Sequence, residues 1–226
     1  MEGAMTHFDS LGNHSTVTAG GVQWMNAGNG VVHDEMLATP LRRDGGVLHS
    51  FQFWMNLPAA NKIEPAQYMP VASQDLPVAM LAGGRGEVKI LLGGYDGQTS
   101  PIPTYAGEFI WHIRIEPLAT VEIALHADLP VAGYLPTQGA VVGDARFDAH
   151  SLIGLAPQGG RLKVTNPAAE PLDLLLFGGQ AITDPIAMRG PFVMNSDGEL
   201  AQAFRAYRAG TFGQITYPAG HATHKL

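Results

Sequence analysis

The chain has 226 residues, no cysteine, and 13 lysines and arginines against 20 aspartates and glutamates, a formal charge of −7. That balance offers no basic field to a phosphate backbone and argues against direct nucleic-acid binding; without cysteine, disulfides and thiolate ligands are out, and any metal must use His, Asp and Glu. No apolar run approaches the length of a membrane span and no N-terminal stretch reads as a secretory leader, so the expected location is the cytoplasm. With 28 glycines and 16 prolines separating short β-rich runs, the expected class is all-β, a sandwich or barrel.

In chain order, residues 15–18 have β-branched character, Ala19-Gly20-Gly21 reads as a turn, and residues 22–25 form a short strand. The break at Ala27-Gly28-Asn29-Gly30 tolerates positive φ and sets the angle at which the next strand leaves. That strand carries His33 and Glu35, at positions i and i+2. Such residues share one face of a strand, so an imidazole nitrogen and a carboxylate oxygen can meet at one point. The pair suits a divalent transition ion such as Fe(II), Mn(II), Ni(II) or Zn(II).

Residues 47–57 read as a strand covered on both sides, with His49, Phe51, Phe53 and Met55 on one face and Leu48, Ser50, Gln52 and Trp54 on the other. Trp24, Phe51, Phe53, Trp54 and Met55 are expected in the core. Four prolines between 58 and 77 predict an ordered linker. Beyond it, strands are expected near 78–81, 87–92, 109–115, 120–125, 132–135, 152–155, 161–166 and 172–178, enough for one barrel or jelly roll. Ser196 or Asp197 caps a helix with Glu199 in its first turn and Leu200, Ala203, Phe204 and Tyr207 at helical spacing; Gly210 ends it. Residues 214–226 read as a frayed tail.

The glycine-rich segments Gly83-Gly84-Arg85-Gly86 and Gly93-Gly94-Tyr95-Asp96-Gly97 lack the Lys-Ser/Thr of a P-loop and read as hairpin turns. No Gly-x-Ser-x-Gly elbow is present. His14 is expected to be exposed, His126 with Asp128 to form a solvated turn, and His112 and His150 to stand apart. His221 and His224 in the tail are adventitious metal binders at most.

Several runs together resemble the pirin family. They are Glu2-Gly3-Ala4-Met5-Thr6-His7-Phe8-Asp9-Ser10-Leu11-Gly12-Asn13, the segment from Gln23-Trp24-Met25-Asn26 to His33-Asp34-Glu35, Leu48-His49 through Asn56-Leu57-Pro58, Gly190-Pro191-Phe192-Val193-Met194-Asn195, and residues 199–213. The resemblance implies a bicupin, two β-barrel or jelly-roll cupin domains with a C-terminal helix. It further implies a metal ion, usually iron, in the first barrel, with His33 and Glu35 as two of four ligands. The family's other two ligands form a His-x-His pair on an earlier strand. No His-x-His occurs in this sequence, which opens at Met1-Glu2-Gly3, past that motif. Either this start lies inside a longer protein, or the chain is a short form lacking half the site.

The expected layout is an incomplete first cupin at 1–62, a linker at 63–77, a second, metal-free cupin at 78–195, the helix at 196–213 and the tail at 214–226. His7 and His49 match no ligand position and are expected as satisfied core histidines or partners of the ligands. The function implied is that of a metal-binding cupin, in some relatives a quercetin 2,3-dioxygenase oxygenating a flavonol. Metal ligands would be His33 and Glu35; alternatively Glu35, swung off the metal, would act as the general base that deprotonates the flavonol. The alternatives are a non-enzymatic, iron-dependent regulator that binds a protein partner, and a metal-free remnant. Edge strands left uncovered in the first barrel predict a homodimer.

Overall fold

The computed structural model of the chain describes residues 1–126, 128–155 and 160–218. Its contacts divide the chain into two compact units, one built from Met1–Asp75 and Ile182–Leu226, the other from Leu76–Ala181.

In the first unit, β1 (Ala4–Asp9) is the middle of an antiparallel sheet between β2 (His14–Thr18) and β4 (His33–Leu37). The β1–β2 turn is closed by Asp9, whose Oδ1 accepts from the backbone N–H of Leu11 and of Asn13, both at 2.9 Å. Aspartate suits this place because its short carboxylate bonds its own backbone two residues on. Strand β3 (Val22–Asn26) pairs with β5 (Gln67–Val71). A six-residue helix, α1 (Thr39–Asp44), follows β4.

The expected linker therefore contains a strand. Pro70 and its neighbouring prolines hid β5, but both strands of a two-stranded sheet are edge strands, where a proline is tolerated. The covered strand expected at 47–57 does not form. Among the described residues this segment makes a single isolated bridge, Glu2 to His49, and no strand flanks it. With no ladder to hold it, the segment is not covered on both sides: Trp54 is 59% exposed, with Phe51 and Met55 also exposed, while Leu48, Phe53 and Leu57 are half-buried. Trp24 is buried, as expected.

The second unit holds β6 (Val78–Met80), β7 (Gly86–Leu92), β8 (Gly94–Tyr95), β9 (Gln98–Thr99), β10 (Phe109–Ile115), β11 (Thr120–Leu125), β12 (Val131–Tyr134), β13 (Ala140–Val142), β14 (Ala145–Phe147), β15 (Leu152–Leu155), β16 (Gly160–Thr165) and β17 (Leu172–Gly178). They form a six-stranded sheet, β15-β12-β17-β10-β7-β6, and a four-stranded one, β11-β16-β13-β14. Alternate residues of β7, Gly86, Val88, Ile90 and Leu92, are buried, as period-2 patterning requires of a strand with one face inward. Val88 and Ile90 join Trp111, Ile113, Val121, Ile123, Val164, Leu174 and Leu176 in one apolar core. All eight strands expected in this stretch are present; β8, β9, β13 and β14 are two or three residues long and too short to show a pattern. The expected turns at 83–86 and 93–97 link hairpins, the second with Asp96 and Gly97 at φ 47° and 75°.

The chain then returns to the first unit with the hairpin β18 (Ala187–Arg189) and β19 (Phe192–Met194), followed by α2 (Asp197–Arg208). The second compact unit thus ends at Ala181, before the expected boundary at 195. Around this hairpin, the Ala59 N–H donates to Asp184 Oδ2 at 2.8 Å, and the buried Lys62 ammonium donates to the Met194 carbonyl at 3.2 Å. The capping expected at Ser196 is present. Its Oγ accepts from the Glu199 N–H, and Glu199 Oε2 accepts from the Asn195 N–H. Leu200 is buried and Tyr207 exposed, so the apolar stripe is narrower than its spacing suggests. The start of the tail is not frayed: the Tyr217 hydroxyl donates to Asp34 Oδ2 at 2.8 Å. The architecture is all-β with one C-terminal helix of three turns, as expected of a bicupin.

Candidate metal centre

His33 and Glu35 open β4, and its antiparallel register sets His7 of β1 opposite Glu35 and Asp9 opposite His33. All four residues therefore share one face of the sheet. One ligand atom from each of His7, His33 and Glu35 lies within 4.8 Å of the others. His7 is the buried member, 1% exposed, whereas His33 and Glu35 face solvent.

The His7 ring is held on three sides. Its Nε2 contacts Asp9 Oδ2 at 3.1 Å, and its face stacks on Tyr68 of β5 at 3.9 Å between ring centroids and 4° between planes. The third neighbour is Glu35, whose Oε1 lies 3.9 Å from His7 Nδ1, beyond hydrogen-bond reach. Asp9 already accepts from Leu11 N, Asn13 N and Asn13 Nδ2, and those bonds with the one from His7 outweigh its burial and hold its carboxyl below the ordinary range. An ionised carboxylate only accepts, so His7 Nε2 carries the proton it donates. Nδ1 is buried without a hydrogen-bond partner.

Electrostatics at the centre favour an ionised Glu35. The His7 imidazole holds the Glu35 carboxyl below its ordinary value, against the opposing effect of burial. Burial is the largest influence on His7 itself and opposes its charged form, but Glu35 and Asp9 together raise its pKa above the ordinary histidine value. Burial also raises the Tyr68 phenol, whose hydroxyl bonds with Ser15 Oγ.

The residues present fit a transition-metal ion. Two imidazoles and one carboxylate are a donor set that such ions accept, and the partnerless buried Nδ1 is an acceptor for which the protein supplies no donor. The sequence singled out His33 and Glu35 but left His7 as a satisfied core histidine or a partner of the ligands. Its Nε2 is satisfied and its Nδ1 is not. The signal available was the repeated i, i+2 spacing of His7 with Asp9, the same as that of His33 with Glu35. Tyr68 carried no signal, because its strand was hidden in the proline-rich stretch.

The other histidines lie elsewhere. His49 pairs through its backbone with Glu2, and His14 is exposed as expected, its ring stacked on Phe8. His112 contacts Asp173 at 2.7 Å. His126 and Asp128 are both exposed at a strand end, in keeping with a turn, and His126 lines a cavity of about 430 Å³ in the second unit together with Phe109 and Glu108. Ala127 between them, and His221 and His224, lie outside the described residues.

Fold and donor set define a cupin-type protein with a candidate mononuclear centre in its first unit. Residues 1–55 match the pirin family and residues 110–213 the pirin C-terminal cupin domain. A pirin-like protein of Solanum lycopersicum is 33% identical over 216 residues, covering 94% of this chain and 72% of that protein. A Pseudomonas aeruginosa protein provisionally named quercetin 2,3-dioxygenase is 34% identical over 226 residues, covering 93% and 74%. Among solved structures, a quercetin 2,3-dioxygenase from Acinetobacter baumannii superposes with a TM-score of 0.85 at 27% identity, over 95% of this chain and 74% of that one. The chain belongs to the pirin family.

Proposed function

We propose that the chain is a metal-dependent dioxygenase of the quercetin 2,3-dioxygenase type, acting on a flavonol, with iron held by His33 and Glu35. The observation that carries this reading is the convergence of His7, His33 and Glu35 on one face, with His33 and Glu35 open to solvent and so to a substrate. The names of the Pseudomonas and Acinetobacter relatives support the same chemistry.

When bound, the ion supplies Lewis-acid polarisation of the substrate oxygens. Glu35 is the catalytic carboxylate of the chain itself. Lowered by the neighbouring imidazole, it is ionised at neutral pH and placed to take the proton of a flavonol hydroxyl. His33 fixes the substrate-facing side, and buried His7, held between Tyr68 and Asp9, gives that side a rigid floor. Among the described residues no helix is long and apolar enough to cross a membrane.

The test is oxygen consumption and loss of quercetin absorbance by protein loaded with Fe(II), beside Glu35→Gln and His33→Ala. Turnover in the parent that falls at least about a hundredfold in both variants supports the reading. Stoichiometric iron without turnover would sink the enzymatic part and leave an iron-binding protein whose partner is another macromolecule.

A further inference from the structure

We infer that His7 is a third metal ligand, through Nδ1, beside His33 and Glu35. The inference rests on the reading that His33 and Glu35 hold an ion. It adds a residue that the sequence motif does not point to.

Three features direct Nδ1 at the ion. First, Asp9 fixes the tautomer: a carboxylate already accepting three N–H groups takes a fourth from His7 Nε2, and the neutral ring then has its lone pair on Nδ1. Metal-bound histidines are characteristically oriented in this way, the far nitrogen donating to a carboxylate. Second, the stack on Tyr68 at 3.9 Å and 4° prevents the ring from turning that lone pair elsewhere. Third, Nδ1 is buried without a hydrogen-bond partner, whereas every other polar atom on the ring and on Asp9 is paired.

The distances suit shared ligation. Metal bonds of about 2.0–2.2 Å put two ligand atoms about 3 Å apart when adjacent and about 4.3 Å apart when opposite. The 3.9 Å between His7 Nδ1 and Glu35 Oε1 falls in that interval, and the 4.8 Å span of the set closes with a small inward shift of His33 and Glu35. Both side chains are exposed and free to make it, whereas His7 is fixed. Three ligands from one sheet face leave the solvent side of the ion open, as a site that admits substrate and dioxygen requires.

The experiment titrates metal-free protein with Co(II) and reads the visible absorption and the paramagnetically shifted proton NMR spectrum. The expected result is one site with two coordinated imidazoles. One of them should show a shifted, slowly exchanging N–H, the His7 Nε2 proton held on Asp9. His7→Gln keeps an N–H near Asp9 but removes Nδ1, and should weaken Co(II) binding by more than the roughly 10- to 100-fold typical of losing a group that merely orients a ligand. His33→Ala should abolish binding at the centre. If the parent binds no Co(II), the metal reading fails and this inference with it. If the parent binds, His33→Ala does not, and either His7→Gln binds as tightly or the parent shows one imidazole only, the assignment of His7 is overturned while the centre at His33 and Glu35 stands. The spectrum of the parent decides the matter even if His7→Gln does not fold.

Discussion

His7 faces Glu35 directly across the antiparallel β1–β4 pair, its Nδ1 3.9 Å from the carboxylate oxygen Oε1. The centre is therefore a product of strand register. A slip by one residue would turn His33 and Glu35 to the other face and put Asp34 opposite His7. Register is secured on the β2 side by the Asp9 turn and on the β4 side by contacts of the loop that precedes His33.

Replacing Asp9 by Asn tests the first of these. Asp9 Oδ2 accepts from both His7 Nε2 and Asn13 Nδ2, at 3.1 and 2.8 Å. An amide nitrogen placed there would confront two donors, and an amide turned the other way would confront the backbone N–H groups of Leu11 and Asn13. The expected cost is about 1–3 kcal/mol of unfolding free energy, read from the urea midpoint at unchanged m-value. His7 can relieve the conflict only by moving its proton to Nδ1. Any metal bound there should then be held about 10- to 100-fold more weakly. Unchanged stability would mean that the turn does not depend on the carboxylate.

Gly30→Ala tests the loop. Gly30 has φ 114°, a region L-residues avoid, and an added Cβ would run into the Phe212 ring. Phe212 cannot shift freely, because its carbonyl accepts from Ser10 Oγ, which in turn accepts from the Val32 N–H. One methyl group thus disturbs the clasp that aims the His33 strand. We expect a loss of about 1–3 kcal/mol by thermal or urea unfolding, with altered amide NMR shifts at Val32 and His33. Shifts confined to residues 29–31 would show that Phe212 absorbs the strain.

The helix supplies a calibrated case. Ser196→Ala removes the Oγ that accepts from the Glu199 N–H and should cost about 1 kcal/mol. Ser196→Gly should cost only a few tenths. Equal losses in the two variants would point to the backbone of the cap rather than its side chain.

The second unit was legible in the sequence because its longer strands are apolar runs bounded by turn residues, and some, such as β7 and β11, are buried on one face and carry their own period-2 pattern. Ser196 and Glu199 marked the helix start for a similar reason: the cap is a local contact between residues three apart. What failed needed non-local information. The alternation from 47 to 57 is a good strand pattern, yet a strand forms only when another offers it hydrogen bonds, and among the described residues only Glu2 pairs with it, at one position. Conversely, β5 contains Pro70 and reads as a linker, but β3 lies beside it and pairs. At the centre, His33 and Glu35 announce themselves by spacing, whereas His7 becomes their neighbour only through the β1–β4 register. Its orphaned Nδ1 depends on which atom Asp9 occupies, and no pattern of residue types encodes that choice.

Away from the centre, Asp173 links stability to pH. It lies on β17, with His112 Nε2 of β10 2.7 Å from its Oδ1, and each side chain is 24% exposed. The His112 hydrogen bond is the largest influence and holds the Asp173 carboxyl below its ordinary value, against the effect of burial. An unfolded aspartate titrates at about 3.9. Because the folded value is lower, the unfolded chain takes up the proton first as pH falls. The stabilising contribution is therefore complete above about pH 4 and disappears as pH drops through the folded value. Asp173→Asn has no such proton to bind. The difference in melting temperature between parent and variant should shrink steadily as pH falls below about 4. Other carboxylates titrate in the same range, but they do so in both proteins and cancel in the difference. A difference that stays constant down to the acid limit would show that Asp173 has the same proton affinity folded and unfolded, and that the His112 contact contributes packing alone.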